Sequence, residues 1–279
     1  MPAKTQSSER IARQNRIDEM CVDALWSAHV DTPLCNMIRL EHIPAPRVLV
    51  PELRFKSLLR TLVQTLPETA RLMIVDDSGT RFDGLRECVP SSPQSLFFST
   101  QRIGSLNYAD NSFHVILTEP CMASVCRSEV VLDACQRVLK PGGSLLWASP
   151  KLGTFSAFFD IFEECIATIA PQRVTDLRTI IDAALDDTSI PEILSQSGFD
   201  LVETRHSEFS LKFETTEQLL FSTIVETHYL GFCLCLGYPD IDGRKLLTQL
   251  VRSFHHYFQG LPFEVPIKMA LCHAVKKDV

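Results

Sequence analysis

Four short apolar segments, separated by helical or turn-forming sequence, constrain the fold of this chain more than any other feature. They are RLMIVD (71–76), SLFFST (95–100), SFHVILTE (112–119) and GSLLWASP (143–150). Two of them are almost continuously apolar, which is typical of strands covered on both faces. Between the last two lies SEVVLDACQRVLKPGG, which has a helical apolar period and a stop at Pro141, Gly142 and Gly143. Strands that alternate with helices predict an α/β fold with a mostly parallel sheet.

The flanking regions are predicted to be mainly helical. Apolar spacing predicts helices over residues 17–38 and in RFKSLLRTLVQTLP, and the three prolines of EHIPAPRVLVPEL indicate an extended link between them. FDLVETRHSEFSLKF and VPIKMALCHAVKK predict two late strands. We therefore expect an N-terminal tail and helical extension over 1–46. One α/β domain should follow over 47–279, with helical cover insertions at about 151–190 and 214–260.

Composition narrows the class of protein and its compartment. The chain has 279 residues and a net charge of −7, which does not suggest a broad nucleic-acid surface. Ten cysteines contain no CxxC pair, so no metal site is predicted, and their apolar surroundings indicate reduced thiols. We expect a cytoplasmic protein; the basic residues near the N-terminus leave an organelle matrix as the alternative. No apolar run approaches the ~18 residues of a membrane span.

The segment from Gly104 to Pro150 resembles the central part of class I S-adenosylmethionine (SAM) dependent methyltransferases. LNYADNSFHVILTEP is similar to the family pattern L-P-F-x-D-x-S-F-D-x-V, and RVLKPGGSLLWASP to R-V-L-K-P-G-G-x-L-x-x-x-x-P. QSGFDLVE and the final PFEVPIKMALCHAVKK resemble the later segments of the family. The resemblance implies a Rossmann-like fold, SAM as the cofactor, and a small-molecule type similar to the methyltransferases of the biotin and ubiquinone pathways.

The same resemblance implies a degenerate cofactor loop. The first strand of the family ends in D/E-x-G-x-G-x-G, and RLMIVDDSGTRF is compared with that pattern. Asp76 then takes the acidic position, Ser78, Thr80 and Phe82 stand on the glycine positions, and Gly79 lies out of phase. The second strand of the family ends in an acid that binds ribose, where SLFFST offers polar, uncharged side chains. The cofactor-binding residues implied in this way are Asp76, Asp77, Ser78, Gly79 and Thr100.

Two residues near the third predicted strand are candidates for catalysis. Glu119 follows that strand at the carboxyl edge of the predicted sheet, where it is suited to orient a substrate or to act as a base. The alternative for Glu119 is a solvated loop end. His114 replaces the aspartate that usually follows Phe113 in the family, and an exposed or packed histidine is the alternative there.

Two functions of different classes remain open from the sequence. One is SAM-dependent methyl transfer to a small or lipid-like acceptor. The other is a catalytically silent, methyltransferase-like scaffold or binding subunit that has lost SAM binding. The bulky apolar stripes of the helical insertions favour a packed lid, with an apolar substrate pocket or a protein-partner surface as the alternatives. The sequence identifies neither the methyl acceptor nor a partner.

Overall fold

A seven-stranded sheet forms the centre of the molecule in the computed structural model. The structure describes residues 22–40, 43–53, 55–119, 128–182, 184–222, 224–225, 241–259 and 262–278. The strands are β1 (Arg47–Pro51), β2 (Arg71–Asp76), β3 (Ser95–Thr100), β4 (Phe113–Thr118), β5 (Leu139–Pro150), β6 (Phe199–Phe213) and β7 (Phe263–Lys276). Their order across the sheet is β3-β2-β1-β4-β5-β7-β6.

The first five strands are parallel to one another, β6 runs in the same direction, and β7 is the one strand of the described sheet that is reversed. β1 pairs with β2 and β4, β2 with β3, and β4 with β5, all in parallel. β7 lies between β5 and β6 and is antiparallel to both. The predicted α/β class with a mostly parallel sheet is therefore confirmed. β2 and β3 lie on one side of β1, and the chain then crosses to the other side of β1 to form β4 and β5. The boundary between β1 and β4 is therefore the topological switch point of the sheet.

Helices cover both faces of the sheet. They are α1 (Lys56–Thr65), α2 (Phe82–Cys88), α3 (Ser128–Val138), α4 (Ser156–Ile169), α5 (Val174–Asp182), α6 (Ser189–Gln196), α7 (Thr216–Leu220) and α8 (Gly243–Phe258). Before them, residues 22–35 are helical, with a π-helical turn at Ser27–Asp31 and an α-helical turn at Thr32–Cys35. We call residues 22–35 the N-terminal segment.

Side chains alternate between two apolar cores, as the pleat of a strand requires. Val48 and Val50 of β1 point into a core shared with the N-terminal segment, α1, α4 and α8. Leu49 points into the opposite core, which α3 and α6 complete. Trp26, Val30 and Leu34 are buried in the first core. The described part of the N-terminal extension is therefore packed into the same core as the sheet.

The structure corrects the order of the strands inferred from sequence. RLMIVD is β2, the second strand, and not the first. The first strand is Arg47–Pro51, at the centre of the sheet and inside the segment that was expected to be an extended link. Only five residues long and flanked by prolines, it carries a weak sequence signal. Helix α2, between β2 and β3, was also missed.

The KPGG turn is tighter than expected from sequence. Helix α3 already ends at Val138, and β5 begins at Leu139, with a register shift opposite Phe113 and Val115. Gly142 has φ +67°, and a Cβ on Gly143 would lie 2.8 Å from the carbonyl oxygen of Lys140. Each glycine is therefore required for a different reason, one by its dihedral angle and the other by close packing.

Candidate functional site

The carboxyl ends of the parallel strands meet at one edge of the sheet. Glu52 follows β1, Asp77 follows β2, Gln101 follows β3 and Glu119 follows β4. In open α/β sheets, ligands bind in the crevice at this edge, next to the switch point. The switch point between β1 and β4 therefore marks Glu52 and Glu119 as the centre of the candidate site.

A cleft of about 430 Å³ lies at this edge on the side of β2 and β3. Its lining consists of Glu52, Asp77, Arg102, the turn Ile103–Ser105, and Val130 and Val131 in the first turn of α3. Carboxylates accept hydrogen bonds from sugar hydroxyls, and branched apolar side chains pack against a flat base. The chemistry of the lining suits a nucleoside.

Asp76 and Asp77, both predicted to bind the cofactor, have different surroundings. Asp76 is 2% exposed, and its Oδ2 accepts hydrogen bonds from Gly79 N at 2.9 Å and Ser78 Oγ at 2.8 Å. Its Oδ1 lies 3.3 Å from Arg81 Nη2. Through these contacts, Asp76 holds the loop after β2 in place. Asp77 is exposed and lines the cleft, so it is the acid that faces a ligand.

Gly79 and Thr100 are brought together by the packing of that loop on β3. Gly79 has φ +70°, and a Cβ at this position would lie 2.7 Å from Thr100 Oγ1. Phe82 begins α2 and packs against Phe98, with ring centroids 5.3 Å apart. Because this loop follows β2, the comparison of Ser78, Thr80 and Phe82 with the glycine pattern of a first strand was misplaced.

The loop after β1 is the one to compare with the glycine pattern, and its sequence ELRFKS has no glycine. Glu52, directly after the strand, adopts the left-handed conformation with φ +53°. Such a conformation strains a residue with a Cβ by about 1–2 kcal/mol. Leu53 and Phe55 are buried. The backbone thus keeps a conformation that favours glycine, while side chains fill the space that glycines would leave open.

Two carboxyl groups are buried beside this loop. Asp31 of the N-terminal segment is 0% exposed and Glu119 is 2% exposed. The Asp31 side chain lies next to Glu119 and to Ser57, in the first turn of α1. Burial raises the pKa of Asp31 to about 6, and the proximity of Ser57 and Glu119 opposes this increase. Glu119 is therefore enclosed under the N-terminal segment, which differs from the solvated loop end considered from sequence.

The residues around the acid pair are apolar or weakly polar. The rings of Trp26 and Phe55 pack with centroids 4.9 Å apart, and both are buried. Burial, followed by the charge of Asp31, raises the pKa of the nearby Cys35 thiol. Trp26, Asp31 and Phe55 were not recognised from the sequence. Helical spacing indicated the segment that carries the first two, but not where that segment would pack.

His114 lies at the opposite edge of the sheet. It is the second residue of β4, and its Nδ1 accepts a hydrogen bond of 3.0 Å from Arg47 N, at the start of β1. Its Nε2 is 3.0 Å from Lys140 Nζ. Burial and then the charge of Lys140 lower the pKa of His114. Five residues of extended strand, about 16 Å, separate it from Glu119, so His114 is not part of the carboxyl-edge site.

A second cleft, of about 320 Å³, lies beyond the end of β5. It is formed by residues 151–156 together with α4 and α5, and its polar lining includes Lys151, Thr154, Asp160, Glu163, Arg178 and Asp182. Arg178 Nη2 lies 2.5 Å from Glu163 Oε1 across this cleft, and this contact lowers the pKa of Glu163. The predicted helical cover over 151–190 therefore contributes a polar concavity at the same edge of the sheet.

No metal site is found in the part of the chain that the structure describes. No group of three or more His, Cys, Asp or Glu side chains there is arranged to hold an ion. His255 and Glu217 lie 3.6 Å apart, which is a contact between two side chains. The cysteines Cys121 and Cys126 lie outside the described residues. The five described cysteines, Cys35, Cys88, Cys135, Cys165 and Cys272, are free thiols. Within the same residues, no helix has both the length and the apolar character needed to cross a bilayer.

The two halves of SAM, the cofactor implied by the resemblance, meet different surroundings at this edge. The adenosine half fits the cleft, where Asp77 and Glu52 can accept hydrogen bonds from ribose and Ile103, Val130 and Val131 can contact the base. The methionine half does not fit the loop after β1. The expected glycines are absent there, and Phe55, Trp26 and Asp31 are packed in their vicinity.

Comparison with known proteins shows that the central part of the chain is similar to methyltransferases. Residues 57–147, about a third of the chain, match the family model described as "Methyltransferase domain". The match begins after β1 and its loop. No curated protein has a significantly similar sequence.

Solved structures extend the likeness over most of the chain. A structure from Bacillus halodurans C-125, described as a methyltransferase, is 14% identical and has a TM-score of 0.55, with 88% of this chain and 98% of that chain covered. A complex from Haloferax volcanii, between the Trm112 methyltransferase activator and a protein described as a methyltransferase, is 15% identical. Its TM-score is 0.50, with 97% of both chains covered. At these identities the likeness establishes the fold.

Proposed function

We propose that this chain binds SAM, with the adenosine half of the cofactor in the cleft at the carboxyl edge of the sheet. The Rossmann-like class I methyltransferase fold of the chain supports this proposal. The chain acts as a SAM-dependent methyltransferase on a small or lipid-like acceptor when the methionine half of the site is open. The observation that supports this proposal is the cleft itself, since its acidic and apolar lining spans the ends of β1, β2 and β3 beside the switch point.

Individual residues have distinct proposed roles in that cleft. Asp77 binds the ribose hydroxyls, and Asp76, Ser78, Gly79 and Thr100 hold the loop that presents Asp77. Glu119, enclosed at the end of β4, is a positioning residue for the methionine side of the site. When SAM is bound, it supplies an activated methyl group. The contribution of this chain is then to orient the two reactants and exclude water.

The acceptor and partner are part of the same proposal. The second cleft lies at the end of β5 and is bounded by α4 and α5, and we propose that this concave, partly polar surface holds a small acceptor. A protein partner that contacts the helical insertions is the alternative; the Haloferax volcanii methyltransferase is itself in complex with an activator.

Free cysteines support a reducing compartment, and we propose the cytoplasm. We also retain the division into an extension over 1–46 and a domain over 47–279.

A specific observation favours a second candidate, a catalytically silent binding or scaffold subunit. The loop after β1 lacks glycine, and the buried Phe55 and Trp26 occupy its surroundings. If that packing is permanent, the fold persists without methyl transfer.

Calorimetry with SAM and S-adenosylhomocysteine tests the proposed function. We expect both to bind, and Asp77→Asn to weaken binding about tenfold, because a neutral amide is a poorer acceptor than a carboxylate for two ribose hydroxyls. Asp83→Asn is the matched control, since Asp83 is an exposed acid on α2 whose pairing with Arg86 lies outside the cleft lining. Formation of S-adenosylhomocysteine from SAM, in the presence of a small-molecule and lipid extract, reports turnover. Absence of binding for both ligands at millimolar concentration would exclude the methyltransferase proposal and leave the silent subunit.

A further inference from the structure

The N-terminus of α1 lies at the end of β1, and helix N-termini in general attract anions. Helix α1 has ten residues, and its N-cap residue, Phe55, makes no side-chain capping hydrogen bond. The first N–H groups of a helix have no partners within the helix and carry partial positive charge, so they attract carboxylates and phosphates. In a site that binds an amino-acid ligand at this edge, the ligand's carboxylate is the natural occupant of that position.

A carboxyl group of the protein itself lies beside the first turn of that helix. Asp31 is fully buried, and its side chain is next to Ser57, the second residue of α1. Neither Asp31 oxygen makes a hydrogen bond of normal geometry within the described structure. A buried carboxyl group without such bonds is costly to maintain. It is also carried on the N-terminal segment, a different element from the helix that it approaches.

Aromatic side chains occupy the space on either side of this carboxyl group. Trp26, one turn or so before Asp31, packs against Phe55 with ring centroids 4.9 Å apart and meets the edge of Phe209 at 6.0 Å. Trp26 and Phe55 are each 1% exposed. Together with Asp31, they fill the region beside the loop after β1 and leave the nucleoside-sized cleft beyond Glu52 open.

We propose that the N-terminal segment closes the amino-acid half of the site, with Asp31 standing in for the carboxylate of an amino-acid ligand. The site in this closed form takes adenine nucleosides that have no amino-acid arm, such as adenosine and 5′-methylthioadenosine, in preference to SAM. This inference rests on the cleft of the proposed function, and it specifies the class of ligand that the cleft accepts.

Charge and volume both oppose the methionine arm in the closed form. The carboxylate of SAM would meet Asp31 and Glu119 at the end of β1 and β4, with Glu52 close by, so like charges would be brought together. Its methylene groups would have to displace Trp26 or Phe55 from the core. The adenosine half meets neither obstacle.

Calorimetry on the intact wild-type chain tests the preference directly, with adenosine, 5′-methylthioadenosine, SAM and S-adenosylhomocysteine as ligands. We expect the two nucleosides to bind at least tenfold more tightly than the two ligands with an amino-acid arm. Equal affinity for adenosine and SAM would overturn the closure and leave the cleft in place. Failure of all four ligands to bind would instead refute the cleft, and with it the proposed function.

Two variants of Asp31 test the role of its side chain. Asp31→Ala vacates the position at the N-terminus of α1, and we expect SAM to bind at least fivefold more tightly while the affinity for adenosine changes less than twofold. Asp31→Asn is the matched comparison, because it removes the charge while the amide still fills the position, so SAM binding should improve less than in Asp31→Ala. An equal gain for both variants would show that Asp31 does not act by occupying the position. Thermal unfolding establishes that each variant is folded, and the wild-type ranking decides the closure without any variant.

Discussion

At the scale of single residues, two glycines in the left-handed region show that similar backbone angles can have different structural reasons. Gly79 and Gly142 have similar dihedral angles, with φ +70° and φ +67°. Their surroundings differ, because a Cβ on Gly79 meets Thr100 Oγ1 at 2.7 Å, whereas a Cβ on Gly142 has no neighbour within 4 Å. Sequence comparison treated Gly79 as an out-of-phase glycine of a cofactor loop. The structure gives it a packing role between β2 and β3.

This difference predicts unequal costs for the same substitution. Gly142→Ala should reduce the free energy of unfolding by about 1 kcal/mol, which is the strain of the left-handed conformation alone. Gly79→Ala should reduce it by about 2–3 kcal/mol, because steric conflict with Thr100 adds to the same strain. Urea unfolding of the two variants measures both values. Equal losses would show that Thr100 moves away without penalty.

At the scale of elements, the N-terminal segment is the feature that most alters the interpretation of the site. Helical spacing predicted the segment, but not that it would bring Trp26 and Asp31 to the end of β1. Likewise, the strand β1 was hidden in a proline-rich stretch, so the glycine pattern was sought one strand too late. Long periodic elements, such as α8 and β6, were predictable because their side-chain pattern repeats over many residues.

The buried acid on this segment predicts a specific dependence of stability on pH. The pKa of Asp31 in the folded state, about 6, lies above its ordinary value of 3.8, so folding favours the protonated form. Stability from this group is therefore highest in acid and falls as the pH rises through 4 to 6. Between pH 4.5 and 7.5, the wild type should lose about 2 kcal/mol relative to Asp31→Asn, which cannot ionise.

Urea unfolding of both proteins at the two pH values measures this difference. Ser57 from α1, Glu119 after β4 and Asp23 from the N-terminal segment are the groups that act on Asp31, and Asp31 in turn acts on Cys35. All of them are present in both proteins, so their own titration largely cancels in the comparison. A constant difference between wild type and variant across this pH range would contradict the assignment of the shift to Asp31.

At the scale of the whole molecule, stability should be distributed from the centre of the sheet outwards. β1, β4 and β5 have strands on both sides and are covered by both cores, and residues such as Leu49, Ile116 and Leu145 are fully buried. β3 and β6 are the edges of the sheet, and Phe97 and Val202 on them are 47% and 60% exposed. Central strands therefore open only when the whole fold unfolds.

Hydrogen exchange tests this distribution. Amides of β1 should exchange with a protection that approaches the global free energy of unfolding, even though β1 is the shortest strand. Amides of β6 that point away from β7 should exchange faster by several orders of magnitude, because no other described strand pairs with them. Rapid exchange throughout β1 would indicate that the proline-flanked strand is only loosely attached to the sheet.

The sequence alone determined the class of fold, the positions of the long strands and helices, and the methyltransferase-like centre around RVLKPGG. Periodicity and turn chemistry act over neighbouring residues, so they are visible in a single sequence. Only the tertiary structure decided which strand is first, which of Asp76 and Asp77 faces the cleft, and that Asp31 meets Glu119 beside the first turn of α1. Asp31 and Glu119 are far apart in the sequence. Their contact depends on strand order and on how a distant helix packs, and neither is encoded in local pattern.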